Sequence, residues 1–205
     1  MSMRFWFRRQ LARIEAATSG YLVQVGWIET RALRVARDTD GRPTPWFTYP
    51  AIRLLDDRVQ REWRVLEFGA GMGTLWWNVR VREVVAVEHD DAWAMQVSTQ
   101  CNARVLRTDG SSADVYVQPA LGSGPYDVVI VDGLHRNKCL VAAPGLLSET
   151  GVVVLDDAQR EEYGPGVTAL RALGFRSLEL HGPQPVSKHP GCTAILYRDG
   201  NVLGL

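Results

Sequence analysis

From about residue 63 onward the chain alternates short β-branched apolar runs with longer segments of mixed polarity. That alternation predicts βαβ units around a parallel sheet. Strands are expected over Arg64–Phe68, Glu83–Glu88, Ala103–Thr108, Tyr126–Asp132, Gly151–Asp156, Phe175–Leu180 and Thr193–Tyr197. Helices are expected over Thr74–Val81, Asp91–Gln100, Ser111–Leu121, Arg136–Leu147 and Glu161–Leu173, the last stopped by Gly174. The runs ending in Glu88, Asp132 and Asp156–Asp157 are almost continuously apolar before the acid. Strands buried on both faces have this composition, and their carboxyl ends open onto a ligand crevice. The expected architecture is an α/β, doubly wound, mostly parallel seven-stranded sheet over residues 63–205.

Residues 1–62 follow a different pattern and are expected to form an N-terminal extension and cap. Phe5, Phe7, Leu11 and Ile14 have roughly helical spacing, with Arg4, Arg8, Arg9 and Arg13 between them. Such a segment is either a basic amphipathic helix at a membrane surface or a terminal helix docked on its own domain. A turn-rich stretch from Asp38 to Pro45 leads to the aromatic cluster Trp46, Phe47 and Tyr49, and a helix is expected over Ala51–Trp63. Those aromatics either line a cap or simply anchor the loop.

Charge narrows the functional classes. Lys and Arg total 23, as do Asp and Glu, so the net charge is zero, which argues against tRNA or DNA as partner. Residues 1–42 nevertheless carry eight arginines against four acids. Neither lysine, Lys138 or Lys188, follows a glycine loop, so a P-loop is excluded. The three cysteines, Cys101, Cys139 and Cys192, are far apart and include no Cys-x-x-Cys pair, which fits small apolar residues in a reduced compartment. No run approaches the ~18 apolar residues of a membrane span. The expected location is the cytoplasm.

The most informative motif is Glu67-Phe-Gly69-Ala70-Gly71-Met-Gly73, where a strand runs into glycines at alternate positions before an apolar helix. Glycine permits the tight turn and a close approach of ligand to backbone, while the helix start offers free N–H groups. The dinucleotide fingerprint Gly-x-Gly-x-x-Gly has different spacing. Here Glu67 stands two residues before the first glycine, where a carboxylate repels a pyrophosphate but pairs with an ammonium group. Glu88, 21 residues on, can accept both ribose hydroxyls of a nucleoside, and Asp109 can face an adenine amino group. Three acids at successive strand ends fit a cationic, phosphate-free nucleoside such as S-adenosylmethionine.

On these motifs, with Val87-Glu88, Thr108-Asp109-Gly110, Tyr126–Asp132 and Leu147–Asp157, the chain resembles the Rossmann-like (class I) S-adenosylmethionine-dependent methyltransferases. It is similar in particular to a small bacterial type. The resemblance implies that Glu67 and the loop Gly69, Ala70, Gly71 and Gly73 hold the methionine moiety. It likewise assigns Glu88 to the ribose, Asp109 and Gly110 to the adenine end, and Asp132 to the site near the transferred methyl. A weaker similarity to metal-dependent catechol-type O-methyltransferases implies a Mg²⁺ site at Asp132, Asp156 and Asp157. Here Asp157 replaces an Asn of that pattern, and the lysine expected after Asp132 is missing. His135, three residues past Asp132, is the candidate general base. The expected activity is methyl transfer to a small-molecule acceptor, at oxygen. The alternatives are a non-catalytic binding protein of the same fold and an NAD-dependent oxidoreductase.

Overall fold

The computed structural model describes residues 3–205, with side chains from Phe5 onward; Arg4, one of the basic residues noted above, has its side chain outside them. Four helices open the chain: α1 (Met3–Thr18), α2 (Tyr21–Gln24), α3 (Trp27–Leu33) and α4 (Tyr49–Arg58). Then follow β1 (Arg64–Phe68), α5 (Met72–Asn78), β2 (Glu83–Glu88), α6 (Asp91–Ser98), β3 (Arg104–Arg107), α7 (Ala113–Val117), β4 (Tyr126–Val131), α8 (Arg136–Ala142), β5 (Leu147–Leu155), α9 (Gly164–Ala172), β6 (Arg176–Gly182) and β7 (Gly191–Tyr197). All seven strands join one sheet in the order β3-β2-β1-β4-β5-β7-β6. The pairings among β3, β2, β1, β4 and β5 are parallel; β7 runs antiparallel to both β5 and β6.

The apolar runs are continuous because each strand serves two cores at period two. Leu66, Phe68, Val129, Val131, Val153 and Leu155 meet α7, α8 and α9 on one face. Val65, Val128, Ile130, Val152 and Val154 meet α4 and α5 on the other, where Phe47, Ala51, Leu55, Trp76 and Trp77 complete the packing. Phe47 and Tyr49 are therefore loop anchors, whereas their neighbour Trp46 is 52% exposed.

Most expected elements are found, with boundaries shifted for identifiable reasons. The segments expected as single helices over Ser111–Leu121 and Arg136–Leu147 change to 3₁₀ turns at Gln118–Ala120 and Ala143–Gly145, each containing a proline. Proline has no N–H to donate and its ring collides with the preceding turn. Pro165 instead starts α9, which leaves Glu161–Tyr163 as a separate 3₁₀ turn. Gly73 lies inside α5 and not in the loop before it, since that helix begins at Met72. The terminal-helix alternative for residues 3–18 also needs correcting. α1 is not docked on the sheet: every residue from Leu11 to Ser19 is exposed.

Parallel register sets the functional edge. Phe68 aligns with Val87 and Val131, and Val131 with Leu155. The ladder continues one step further through Gly69 N–H to Val87 O (2.8 Å), Asp132 N–H to Phe68 O (3.0 Å) and Asp156 N–H to Val131 O (3.2 Å). Gly69, Glu88, Asp132 and Asp156 are thereby placed in one row at the carboxyl ends of neighbouring strands. Just beyond that row Gly133 touches Gly69: a Cβ on Gly133 would lie 2.1 Å from the Tyr116 hydroxyl and 2.8 Å from Gly69 N. Gly133→Ala should therefore cost about 1–3 kcal/mol, lowering the thermal midpoint by several degrees. A midpoint equal to the parent's would show that the β1 and β4 loops can separate without penalty.

Candidate functional site

A cavity of about 630 Å³ opens over this edge. Its floor is the glycine loop, with Glu67, Gly69, Ala70, Gly71, Met72 and Gly73. One wall comes from the end of β2 and the start of α6 (Glu88, His89, Asp90 and Trp93), another from Asp132, Gly133, Leu134 and Arg136. The N-terminal segment closes the rim with Arg34, Val35, Ala36 and Trp46.

Glu88 organises the loop. Its Oε2 accepts the Ala70 N–H (2.9 Å), while Oε1 accepts the N–H groups of His89 and Asp90 (2.8 Å each). The His89 ring lies beside Oε1, with Nδ1 at 2.8 Å. Oε2 keeps acceptor capacity for a ligand hydroxyl. Asp90 caps α6 by accepting the Trp93 N–H, and the indole N–H of Trp93 returns to Ala70 O (2.7 Å). The loop after β1 is thus tied to β2 from both sides.

Glu67 is buried at the cavity floor and, among the described residues, has no cationic partner. It accepts the Thr74 hydroxyl, and Thr74 Oγ1 in turn accepts the Gly71 N–H at 2.9 Å. Burial pushes its pKa from the ordinary 4.5 up to about 8, with Asp132 and Glu88 adding to the rise and Thr74 opposing it. The reason Gly73 has no side chain is visible here, since a Cβ would come within 2.3 Å of Glu67 Oε1.

Asp132 lines the cavity, but Asp156 and Asp157 do not. Burial raises Asp132 from 3.8 to about 6, against the pull of Arg136. Asp156 is raised well above its ordinary value by burial and by Asp132, and its Oδ1 accepts the Thr193 hydroxyl (2.8 Å). The positive charge among these acids comes from arginine. Arg136 donates to Asp132 Oδ1 (2.9 Å), to the Asp132 and Gly133 carbonyls (3.1 Å each) and to Asp156 O (2.7 Å). Arg160 pairs with Asp157 at 2.5 Å. The expected Mg²⁺ site is not supported: among the described residues, the only trio with ligand atoms all within 4.8 Å of one another is Glu179, His181 and Cys192, on β6 and β7.

Three more expected site residues lie outside the cavity lining. Asp109 is exposed and caps its own turn by accepting the Ser111 N–H (2.8 Å), which holds its pKa below the usual value. Gly110 takes a positive φ of 63° against His89 and Leu134, and supports the wall without lining it. His135 is exposed at the start of α8 with a φ of 49°, its Nε2 3.0 Å from Gly110 O. It belongs to a second cavity of about 620 Å³ beside Lys138 and Tyr163. Sequence reasoning missed Trp93, Leu134, Arg136 and the segment from Arg34 to Ala36. The only local signal for any of them was Asp90 as a helix cap.

No protein-family model and no curated protein matches this sequence. Solved structures do match. A methyltransferase from Pyrococcus furiosus superposes with a TM-score of 0.53 at 15% identity, covering 89% of this chain and 98% of its own. A precorrin-6y C5,15-methyltransferase from Geobacter metallireducens gives 0.58 at 16% identity, covering 80% and 98%. An S-adenosylmethionine-dependent O-methyltransferase from Thermotoga maritima gives 0.53 at 14%, covering 76% and 67%.

The fold is that of the Rossmann-like methyltransferases. The sheet order places the glycine loop, Glu88 and Asp132 at the carboxyl edge of a methyltransferase fold, the edge where such open sheets bind ligands. Among the described residues no helix is long and apolar enough to cross a membrane.

Glu67 makes this site's electrostatics testable. The folded chain keeps the Glu67 proton between about 4.5 and about 8, where the unfolded chain has lost it. The native state then binds more protons than the unfolded one, so stability falls as pH rises through that window. Glu67→Gln keeps a Thr74 partner and removes the titration, so its urea midpoint should decline less across the window than the parent's. Identical slopes would show that Glu67 is not held protonated.

Proposed function

We propose that the chain is an S-adenosylmethionine-dependent methyltransferase acting on a small-molecule acceptor, at oxygen. The observation that carries the reading is Glu67, an acid buried at the floor of an open cavity with, among the described residues, a hydroxyl as its only side-chain partner. Without a cation such a group keeps its proton, and the ammonium group of the methionine moiety would favour its ionised form and pair with it. The donor set fits the rest of the molecule. Glu88 Oε2 is free to accept from ribose hydroxyls, the side-chain-free loop at Gly69 and Gly71 admits close approach, and the indole of Trp93 offers an apolar wall. When bound, the cofactor supplies a methyl group on an already activated sulfonium.

The chain's own tasks are then alignment, exclusion of water and removal of the acceptor's proton. Arg34 and Trp46 stand at the cavity rim, and residues 34–46 serve as a cap over the acceptor. His135 is the proton acceptor expected from sequence, but Asp132, expected near the transferred methyl, is the better placed. It lines the cavity and, held at about 6, is mostly ionised at neutral pH. His135 faces the second cavity and has no direct role in this mechanism. The scheme requires no divalent ion, because Arg136 and Arg160 already neutralise the neighbouring acids.

S-adenosylhomocysteine at about 100 times its Kd should add about 2.7 kcal/mol, raising the thermal midpoint by roughly 5–10 °C. NAD⁺ should leave it unchanged, and Glu88→Ala should abolish the shift. Failure of S-adenosylhomocysteine to stabilise well-folded protein would reduce the reading to one of fold alone. Because an ammonium ligand needs ionised Glu67, its affinity should tighten as pH rises from about 6 to about 8, and flatten in Glu67→Gln. Turnover to S-adenosylhomocysteine with a panel of hydroxyl-bearing acceptors should fall about 10²–10⁴-fold in Asp132→Asn and stay within a few-fold of parent in His135→Gln. Binding without turnover across the panel would favour a non-catalytic binding protein.

A further inference from the structure

Exposed apolar side chains are unevenly distributed over this molecule. Among the described residues, nine of the sixteen large exposed ones fall in the first 46 positions: Phe5, Trp6, Phe7, Leu11, Ile14, Tyr21, Ile28, Leu33 and Trp46. Five of these are on α1, a 16-residue helix whose principal neighbour is the short α2. Water is a poor environment for such a surface, and a contiguous exposed apolar stripe marks a site of association.

The arrangement around α1 identifies what covers it. At about 100° per residue, Phe7, Leu11 and Ile14 recur at i, i+4 and i+7 and share one stripe, extended on one side by Trp6. These four are 51–59% exposed. Arg8 and Glu15 border one edge of the stripe, and Arg13 with Arg9 borders the other; Glu15 is the only acid between Phe5 and Thr18. Phe5 lies on the opposite arc, among the arginines. The stripe is therefore apolar along its centre, cationic along the Arg9 and Arg13 margin and mixed along the Arg8 and Glu15 margin, with three arginines against one acid overall. A second copy of the helix packed on the stripe would offer one acid for every three arginines, so the two net-cationic helices would repel. A bilayer surface satisfies both: apolar side chains enter the acyl boundary, aromatic rings sit at headgroup depth, and guanidinium groups meet phosphates.

We propose that α1 is an in-plane anchor that docks the protein on an anionic lipid bilayer, with Phe7, Leu11 and Ile14 inserted and Arg8, Arg9 and Arg13 at the phosphate level. The inference is independent of the catalytic reading, because none of these residues lines the cavity. It also agrees with the lack of a membrane-crossing helix among the described residues, since an in-plane helix does not span.

Co-sedimentation of the full chain with lipid vesicles tests it. Phosphatidylcholine vesicles containing about one third phosphatidylglycerol should pellet the protein, and pure phosphatidylcholine should not. About 1 M salt, where the screening length is near 3 Å, should release it. The triple variant R8Q/R9Q/R13Q should bind on the order of 100-fold more weakly at low salt. F7S/L11S/I14S should remain in the supernatant. Both variants should unfold at the parent's midpoint, because α1 contributes nothing to the sheet core. The proposal is overturned if the parent stays in the supernatant with both vesicle types, or if the variants pellet as the parent does. It is equally overturned if the parent is a dimer that F7S/L11S/I14S converts to monomer while vesicles capture neither; the stripe would then be a subunit interface.

Discussion

The site depends first on one carboxylate that holds backbone in place. Glu88 accepts three main-chain N–H groups, one from the loop after β1 and two from the start of its own loop. A carboxylate can do this because its two oxygens offer about four acceptor positions. The result is that a glycine-rich segment, which would otherwise sample many conformations, is held at a fixed distance from the neighbouring strand. Trp93 reinforces the same tie from α6 through Ala70 O. Glu88 therefore shapes the cavity before any ligand reaches it, and its remaining lone pair faces a pocket already formed.

Charge at the carboxyl edge is distributed unevenly, and that division gives the site its character. Toward β4 and β5 the acids are matched by Arg136 and Arg160, with the Arg136 guanidinium also over the Tyr163 ring at 5.1 Å. Toward β1 no cation is supplied among the described residues, and desolvation raises the Glu67 pKa to about 8, so a cationic neighbour would favour its ionised form. A ligand carrying positive charge would find its partner at the β1 end only. Orientation in the cavity follows from this asymmetry without a dedicated clamp.

The sheet was legible in the sequence because its signal is local. Runs such as Val84–Val87 and Val128–Val131 are too apolar for one-sided burial, and the acids that end them mark where the strands meet solvent. Glu67 and Glu88 were legible because their meaning depends on distance from the glycines. Arg136 was not, since its partners are carbonyls and carboxylates that only the parallel register brings together. Arg34 was equally hidden, because a rim residue 30 positions before the start of β1 leaves no periodic trace, whereas its rim neighbour Trp46 was visible as part of an aromatic cluster. Asp109 and His135, expected at the site, lie outside the cavity lining for the opposite reason. Each stands at a plausible position after a strand, but the backbone there turns away, and a local N–H or carbonyl takes the side chain.

Gly69 and Gly133 meet backbone to backbone, so that a Cβ on the first would lie 2.8 Å from the Cα of the second. Two loops from different parts of the chain share this contact, and neither can acquire a side chain while the other stays in place. The central floor of the cavity is accordingly invariant in shape, made of main chain that mutation cannot easily decorate. Diversity in what the cavity accepts has to arise at the rim, where residues 34–46 can lengthen, shorten or change chemistry without disturbing a single strand pairing.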